Sequence, residues 1–128
     1  SRRFYTSLLK DKIISEKESL KIKLSKIKYV CTTADIWSSR KCSYLGVTCH
    51  WITDKLERES HALACRQIHG THSYELIAQV LSHIYSEYNI DTKKIVATVT
   101  DSGSNFVKAF KHYGIEQGKK TSYKTIVI

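Results

Sequence analysis

Two aspartates have the residue type and the setting to do chemistry. Asp35 lies in Tyr29-Val30-Cys31-Thr32-Thr33-Ala34-Asp35-Ile36-Trp37, and Asp101 follows the run Ile95-Val96-Ala97-Thr98-Val99-Thr100. The β-branched and apolar residues ahead of each predict strands, with an aspartate at the carboxyl end of each. In open α/β sheets, ligands gather where strands end and the chain leaves the sheet. Adjacent strands lie about 4.8 Å apart. Two carboxylates at that range repel, and one pKa rises. A divalent cation removes the repulsion and keeps both ionised. Hard oxygen donors select Mg²⁺ or Mn²⁺, ions suited to phosphoryl transfer on nucleic acid. A plainer reading stands beside this one. Asp35 can cap a turn with Ser38 and Ser39, and Asp-Ser-Gly-Ser from Asp101 is a common helix cap.

The elements that must position these residues are legible from periodicity. Ser15-Glu16-Lys17-Glu18 reads as a capping box, followed by Leu20, Leu24 and Ile27 at helical spacing with lysines between. Residues 1–14 read as irregular or helical. Three strands are expected at 29–36, 43–53 and 56–68. Trp37-Ser38-Ser39-Arg40-Lys41 is the first connection and Asp54-Lys55 the tip of a hairpin. In the first strand, alternation puts Cys31, Thr33 and Asp35 on one face and Val30, Thr32, Ala34 and Ile36 on the other. Trp37 is expected to pack at the sheet edge. Leu76, Ile77, Val80, Leu81, Ile84, Tyr85 and Tyr88 repeat at a period near 3.6 and predict an amphipathic helix. A fourth strand over 94–100 is nearly all apolar, as in a strand covered on both faces. Ser102 would cap a helix from Gly103 to about Tyr113. The closing stretch 123–128 is a fifth strand or a tail. The order is β-β-β-α-β-α, a mixed sheet with the first and fourth strands as parallel neighbours.

Composition narrows the function. The 128 residues fit one domain, and their net charge of +9 suits a polyanionic partner such as DNA. Lysines cluster at 10–28 and 108–124. Arg40, Lys41 and Lys108 are the candidate phosphate contacts, each adding about one to the salt slope of binding. No apolar run approaches the ~20 residues that cross a bilayer, so no membrane partner is expected. The four cysteines form no Cys-x-x-Cys pair. His69 and His72 have no cysteine pair beside them, so reduced structural thiols are expected rather than zinc. The chain contains no Met, which suggests a piece of a longer protein.

The segments Thr32-Thr33-Ala34-Asp35-Ile36-Trp37-Ser38-Ser39, Tyr44-Leu45-Gly46-Val47-Thr48-Cys49-His50-Trp51-Ile52, His69-Gly70-Thr71-His72-Ser73 and Thr100-Asp101-Ser102-Gly103-Ser104-Asn105-Phe106-Val107-Lys108-Ala109-Phe110 carry a resemblance. In this order and spacing, over roughly residues 15–113, the chain resembles the ribonuclease-H-like catalytic core of hAT-class transposases. That group includes host proteins that also carry a BED zinc finger. The resemblance implies an α/β ribonuclease-H-like mixed sheet. It implies a basic helical segment over 1–28, a partial ribonuclease-H-like domain over 29–113, and a tail or fifth-strand stub over 114–128. The sheet is expected to be truncated before its final strand and helices.

The resemblance also implies a chemistry. Such transposases cut and rejoin DNA with an Asp-Asp-Glu triad and two divalent ions. Asp35 and Asp101 resemble the first two acidic ligands, with Mg²⁺ or Mn²⁺ as cofactor. The family's glutamate belongs to a late helix. Here the only acidic residue after Asp101 is Glu116, between Gly114 and Gly118. The expected function is therefore a fragment of a DNA transposase core, in the nucleus, inactive alone for want of a third acidic ligand. Its intact parent is expected to act on DNA, with a homo-oligomer as its assembly and no small-molecule substrate. The alternative is a nonenzymatic, transposon-derived nuclear module that binds DNA or protein through basic surfaces.

Overall fold

A computed structural model describes residues 1–70, 72–100, Lys108 and, as backbone, 124–127. The chain opens with helix α1, Arg2–Ser25, whose N-cap Ser1 accepts a hydrogen bond from the Phe4 amide. The helix runs unbroken through Ser15, so the expected capping box there is not a helix start. No Gly or Pro interrupts residues 1–28, and Leu, Lys, Arg and Glu propagate a helix readily.

Three strands follow: β1 Val30–Ser39, β2 Cys42–Ile52 and β3 Arg58–Ile68. Helix α2, Tyr74–Glu87, starts at Ser73, whose side chain accepts from the Leu76 amide. A short 3₁₀ turn, Thr92–Lys94, leads into β4, Ile95–Thr100, and β5 is Lys124–Val127. The sheet order is β3-β2-β1-β4-β5. The β1–β2 and β2–β3 pairs are antiparallel, whereas β4 and β5 run parallel to β1. The closing segment is thus a fifth strand. β1 lies at the centre of the sheet.

One face of the sheet is closed. Val30, Thr32 and Ala34 of β1 and Leu45, Val47, Cys49 and Trp51 of β2 are buried. They share a core with Ile77, Leu81, Ile84 and Tyr85 of α2 and Leu20 and Leu24 of α1. Each fully buried Leu or Ile stabilises by roughly 1.5–3 kcal/mol. Several polar groups inside this core are matched, although the buried Thr100 hydroxyl has no hydrogen-bond partner among the described residues. The Thr32 hydroxyl lies 2.8 Å from the Thr98 hydroxyl and 3.1 Å from that of Tyr85, and Tyr88 donates to the Leu63 carbonyl at 2.6 Å. Without partners such groups would each cost about 1–3 kcal/mol. The coverage of β4 is less complete than its apolar run implies, since Val96 is half exposed.

Glu87, near the end of α2, ties three elements together. It accepts from Lys17 of α1 at 2.8 Å and from Arg66 of β3 at 2.5 Å, and it pairs with His83 at 3.1 Å. Burial pushes its carboxyl up, but the Lys17 and Arg66 hydrogen bonds and charges outweigh that and hold it at about 2. Lys23 pairs with Glu59 at 3.1 Å. Part of the basic cluster at 10–28 is therefore spent on internal ion pairs rather than offered to a partner.

Candidate functional site

Asp35 stands inside β1, not at its carboxyl end as expected. The strand continues to Ser39 because residues 36–39 keep antiparallel partners on β2, down to Ser39 opposite Cys42. Ser38 and Ser43 share a 2.9 Å hydroxyl hydrogen bond there. Trp37 and Tyr44 stack with centroids 5.9 Å apart. The segment 37–39 is therefore strand rather than connection, and Asp35 caps no turn with Ser38 and Ser39. The parallel ladder with β4 ends earlier, with Ala34 opposite Thr100. Asp35 is thus the first residue of β1 beyond that ladder, and Thr100 is the residue immediately before Asp101. Asp101, Ser102, Gly103, Asn105 and Glu116 lie outside the described residues.

Asp35 is exposed on the face of β1 opposite the helices, the face that alternation predicts. Directly across the antiparallel ladder is Gly46. That glycine makes room for an aromatic ring. A Cβ at Gly46 would stand 2.8 Å from Cζ3 of Trp37. Trp37 is therefore not at a sheet edge; it lies over the central β1–β2 pair and walls the site beside Asp35. Thr33 and Thr48 are hydrogen-bonded across the same face. The Thr48 hydroxyl lies 2.8 Å from Nε2 of His50. Alternation alone signals this open face; the Gly46 seat for Trp37 has a weaker sign, a glycine in mid-strand next to aromatics.

The chemistry of the donors suits a hard cation as far as one carboxylate can. Asp35 offers acceptor oxygens only, at an exposed position, as Mg²⁺ or Mn²⁺ requires. Among the described residues no three His, Cys, Asp or Glu side chains gather into a ligand set. The cysteines do not form one either: Cys31 and Cys65 are exposed, Cys42 is half-buried and Cys49 is buried. Burial pushes the Cys49 thiol up to about 11, so it stays protonated.

The candidate phosphate contacts divide. Arg40 and Lys41 form the two-residue turn between β1 and β2, both exposed, with Arg40 in the left-handed region at φ 54°. Arg40 lies five positions beyond Asp35, roughly 16 Å along the strand direction. Lys108 is helical and exposed. No helix among the described residues is long and apolar enough to cross a membrane.

The family model of the ZBED1 RNase-like domain matches residues 33–120. Over 99 residues the chain is 29% identical to the "Putative AC transposase" of Zea mays and, equally, to the "Putative AC9 transposase" of the same organism. The alignment covers 76% of this chain and 12% of each relative, so the chain spans a small part of their length. The mixed sheet of order β3-β2-β1-β4-β5 is consistent with the ribonuclease-H-like fold. The chain belongs to the ZBED1 RNase-like domain family and is related to hAT-type transposases.

Proposed function

We propose that this chain is part of the catalytic core of a DNA transposase, with Asp35 and Asp101 as two of its acidic metal ligands. The observation that carries this reading is the β1–β4 register. The parallel ladder ends at Ala34 and Thr100, the two residues that immediately precede the two aspartates. Bound Mg²⁺ or Mn²⁺ would supply Lewis acidity for in-line attack on a phosphodiester. The chain's own part is simpler. Asp35 offers its carboxylate from a rigid central strand, and Trp37 and Tyr44 wall one side of it. In this reading Arg40 and Lys41 hold a DNA phosphate. The third acidic ligand of the reading is missing here: the only acidic residue after Asp101 is Glu116, in a stretch between Gly114 and Gly118 whose sequence does not resemble the family's late helix. We infer that the 128-residue chain by itself does not cleave DNA.

The test is cation binding followed by the loss of free Mn²⁺ signal in electron paramagnetic resonance. The chain should bind Mn²⁺ weakly, and both Asp35→Asn and Asp101→Asn should abolish it. Equal binding by all three proteins would sink the assignment. A second reading is favoured by the exposed turn at Arg40 and Lys41 and by the net charge of +9. In it the chain is a nonenzymatic nuclear module that binds DNA through basic surfaces. DNA retention that survives Asp35→Asn but falls, with a shallower salt slope, in Arg40→Ala/Lys41→Ala would favour this second reading.

A further inference from the structure

The open face of the sheet turns apolar at the end away from Asp35. Its middle carries the hydroxyls of Thr33 and Thr48. The antiparallel register that sets Cys31 opposite His50, continued by two residues, brings Tyr29 opposite Ile52. Val96 joins them from the start of β4, where Ile95 lies opposite Val30. Tyr29, Ile52 and Val96 are between 49% and 69% exposed, and none belongs to the core behind the sheet. They line one cleft of about 610 Å³, with Ile27 in its wall. Clefts that hold ligands run from roughly 300 to 1,000 Å³. Exposed apolar side chains gathered inside a polar rim mark a surface that another molecule covers. Cys31, at the near edge of this cleft, is four residues from Asp35, roughly 13 Å along β1. The cleft is thus separate from the carboxylate site.

The charges on the rim point to what covers it. Lys23, Lys26, Lys28, Asp54 and Glu59 line the cleft. Lys23 and Glu59 lie 3.1 Å apart and offset each other. Lys26, Lys28 and Asp54 are exposed and make no ion pair among the described residues. The Lys28 ammonium stands 5.4 Å from the centre of the Tyr29 ring, so a cation sits directly beside the apolar floor. Two free cations thus face one free anion, on a chain of net charge +9. A matching ligand brings an apolar body with negative charge next to it. Duplex DNA has the charge but offers the floor no apolar side chain. We propose that this cleft docks an acidic segment of a partner protein, which seats an aromatic or aliphatic side chain on Tyr29, Ile52 and Val96 and sets carboxylates against Lys26 and Lys28.

The probe is a synthetic peptide, Asp-Asp-Glu-Phe-Asp, blocked at both ends, with Asp-Asp-Glu-Ser-Asp and Lys-Lys-Lys-Phe-Lys as controls. Two exposed thiols report where it binds: Cys31 lines the cleft, whereas Cys65 lies outside it, on β3 opposite Gly46. Iodoacetamide labelling read by mass spectrometry should slow at Cys31 and stay unchanged at Cys65 as the peptide is titrated. The Ser and Lys peptides should each bind at least about tenfold more weakly. Ile52→Asp, at an exposed position, should remove the protection. Lys26→Glu/Lys28→Glu should weaken it at least about fivefold, and Asp54→Asn should tighten it. Asp35→Asn should bind the peptide as the parent does. Far-UV circular dichroism checks that each variant stays folded; if Ile52→Asp does not, the lysine and Asp54 changes decide. Absence of Cys31 protection overturns the proposal, and so does equal protection by all three peptides or indifference to the charge changes. Protection of Cys31 by rising concentration of the chain itself, or by duplex DNA in place of the peptide, gives the cleft another occupant and overturns it as well.

Discussion

On β1, Val30, Thr32 and Ala34 face the helices with no more than 2% of their surface exposed. Cys31, Asp35 and Trp37, each one residue away from these or from Ile36, face the other way and are exposed. The same strand serves both sides because its side chains alternate. On the closed side even a hydroxyl is tied down, as in the Thr32, Thr98 and Tyr85 cluster. On the open side a carboxylate, a glycine and an indole sit together where none is needed for the core. Stability is concentrated on one face, which leaves the residues of the other free to be chosen for chemistry.

The sharpest way to break this contrast is to cut into the closed face. Leu45 of β2 is fully buried, so Leu45→Ala should cost about 3 kcal/mol. Urea unfolding would read this as a lower midpoint with an unchanged slope. A loss below 1 kcal/mol, marked by the same measurement, would mean that this face is not the tightly packed one (threshold of about 1 kcal/mol from typical point changes).

Glu87 tests how the closed face is tied to its covering helices. Its carboxyl is held at about 2, below the ordinary 4.5. A lowered folded-state pKa adds stability above the unfolded value, and that contribution disappears as pH falls from about 5 toward 2. The group is partly exposed, so Glu87→Gln should cost about 1–2 kcal/mol at neutral pH after allowance for solvent screening. The cost should shrink as pH falls through that window. Thermal melts at a series of pH values check it. A cost that is constant down to the bottom of the window would mean that the ion pairs to Lys17 and Arg66 do not set this pKa.

On the open face, Gly46→Ala should cost about 1 kcal/mol, because the new methyl meets the Trp37 ring and one of them must shift. Trp51 is buried while Trp37 is 43% exposed, so acrylamide quenching reads chiefly Trp37. Greater quenching in the variant is expected. Unchanged quenching and stability would show that Gly46 is not the seat of that ring.

Much of the closed face is legible in the sequence, and less of the open one. The stripe from Leu76 to Tyr88 predicts α2, and the parallel pairing of β1 with β4 follows from the order of elements, because both depend on strong local periodicity. The first half of α1 stays open between irregular and helical, because Ser15 and Glu18 have the local form of a cap. Nothing local says that the helix has already begun at Ser1. The extent of β1 beyond Ile36 depends on partners supplied by β2, so serines at 38 and 39 look like a loop. The Glu87 hub joins Lys17 and Arg66 across 70 and 21 positions, and no local pattern records such a meeting. Trp37 over Gly46 likewise needs the register of two strands before it can be seen.

The smallest expected effect is the most discriminating one. Asp35→Asn keeps the shape of the side chain and the backbone ladder to Gly46, at an exposed position. Its stability without metal should stay within about 0.5 kcal/mol of the parent. If Asp35 binds a divalent cation, Mn²⁺ at tenfold over its dissociation constant should stabilise the parent by about 1.4 kcal/mol and the variant not at all. The comparison separates the two faces by what each responds to. A closed-face change alters the melt with or without metal, whereas an open-face change alters only the metal-dependent part. A large metal-independent loss in Asp35→Asn would move this residue to the structural side of β1, leaving the strand with one task on both faces.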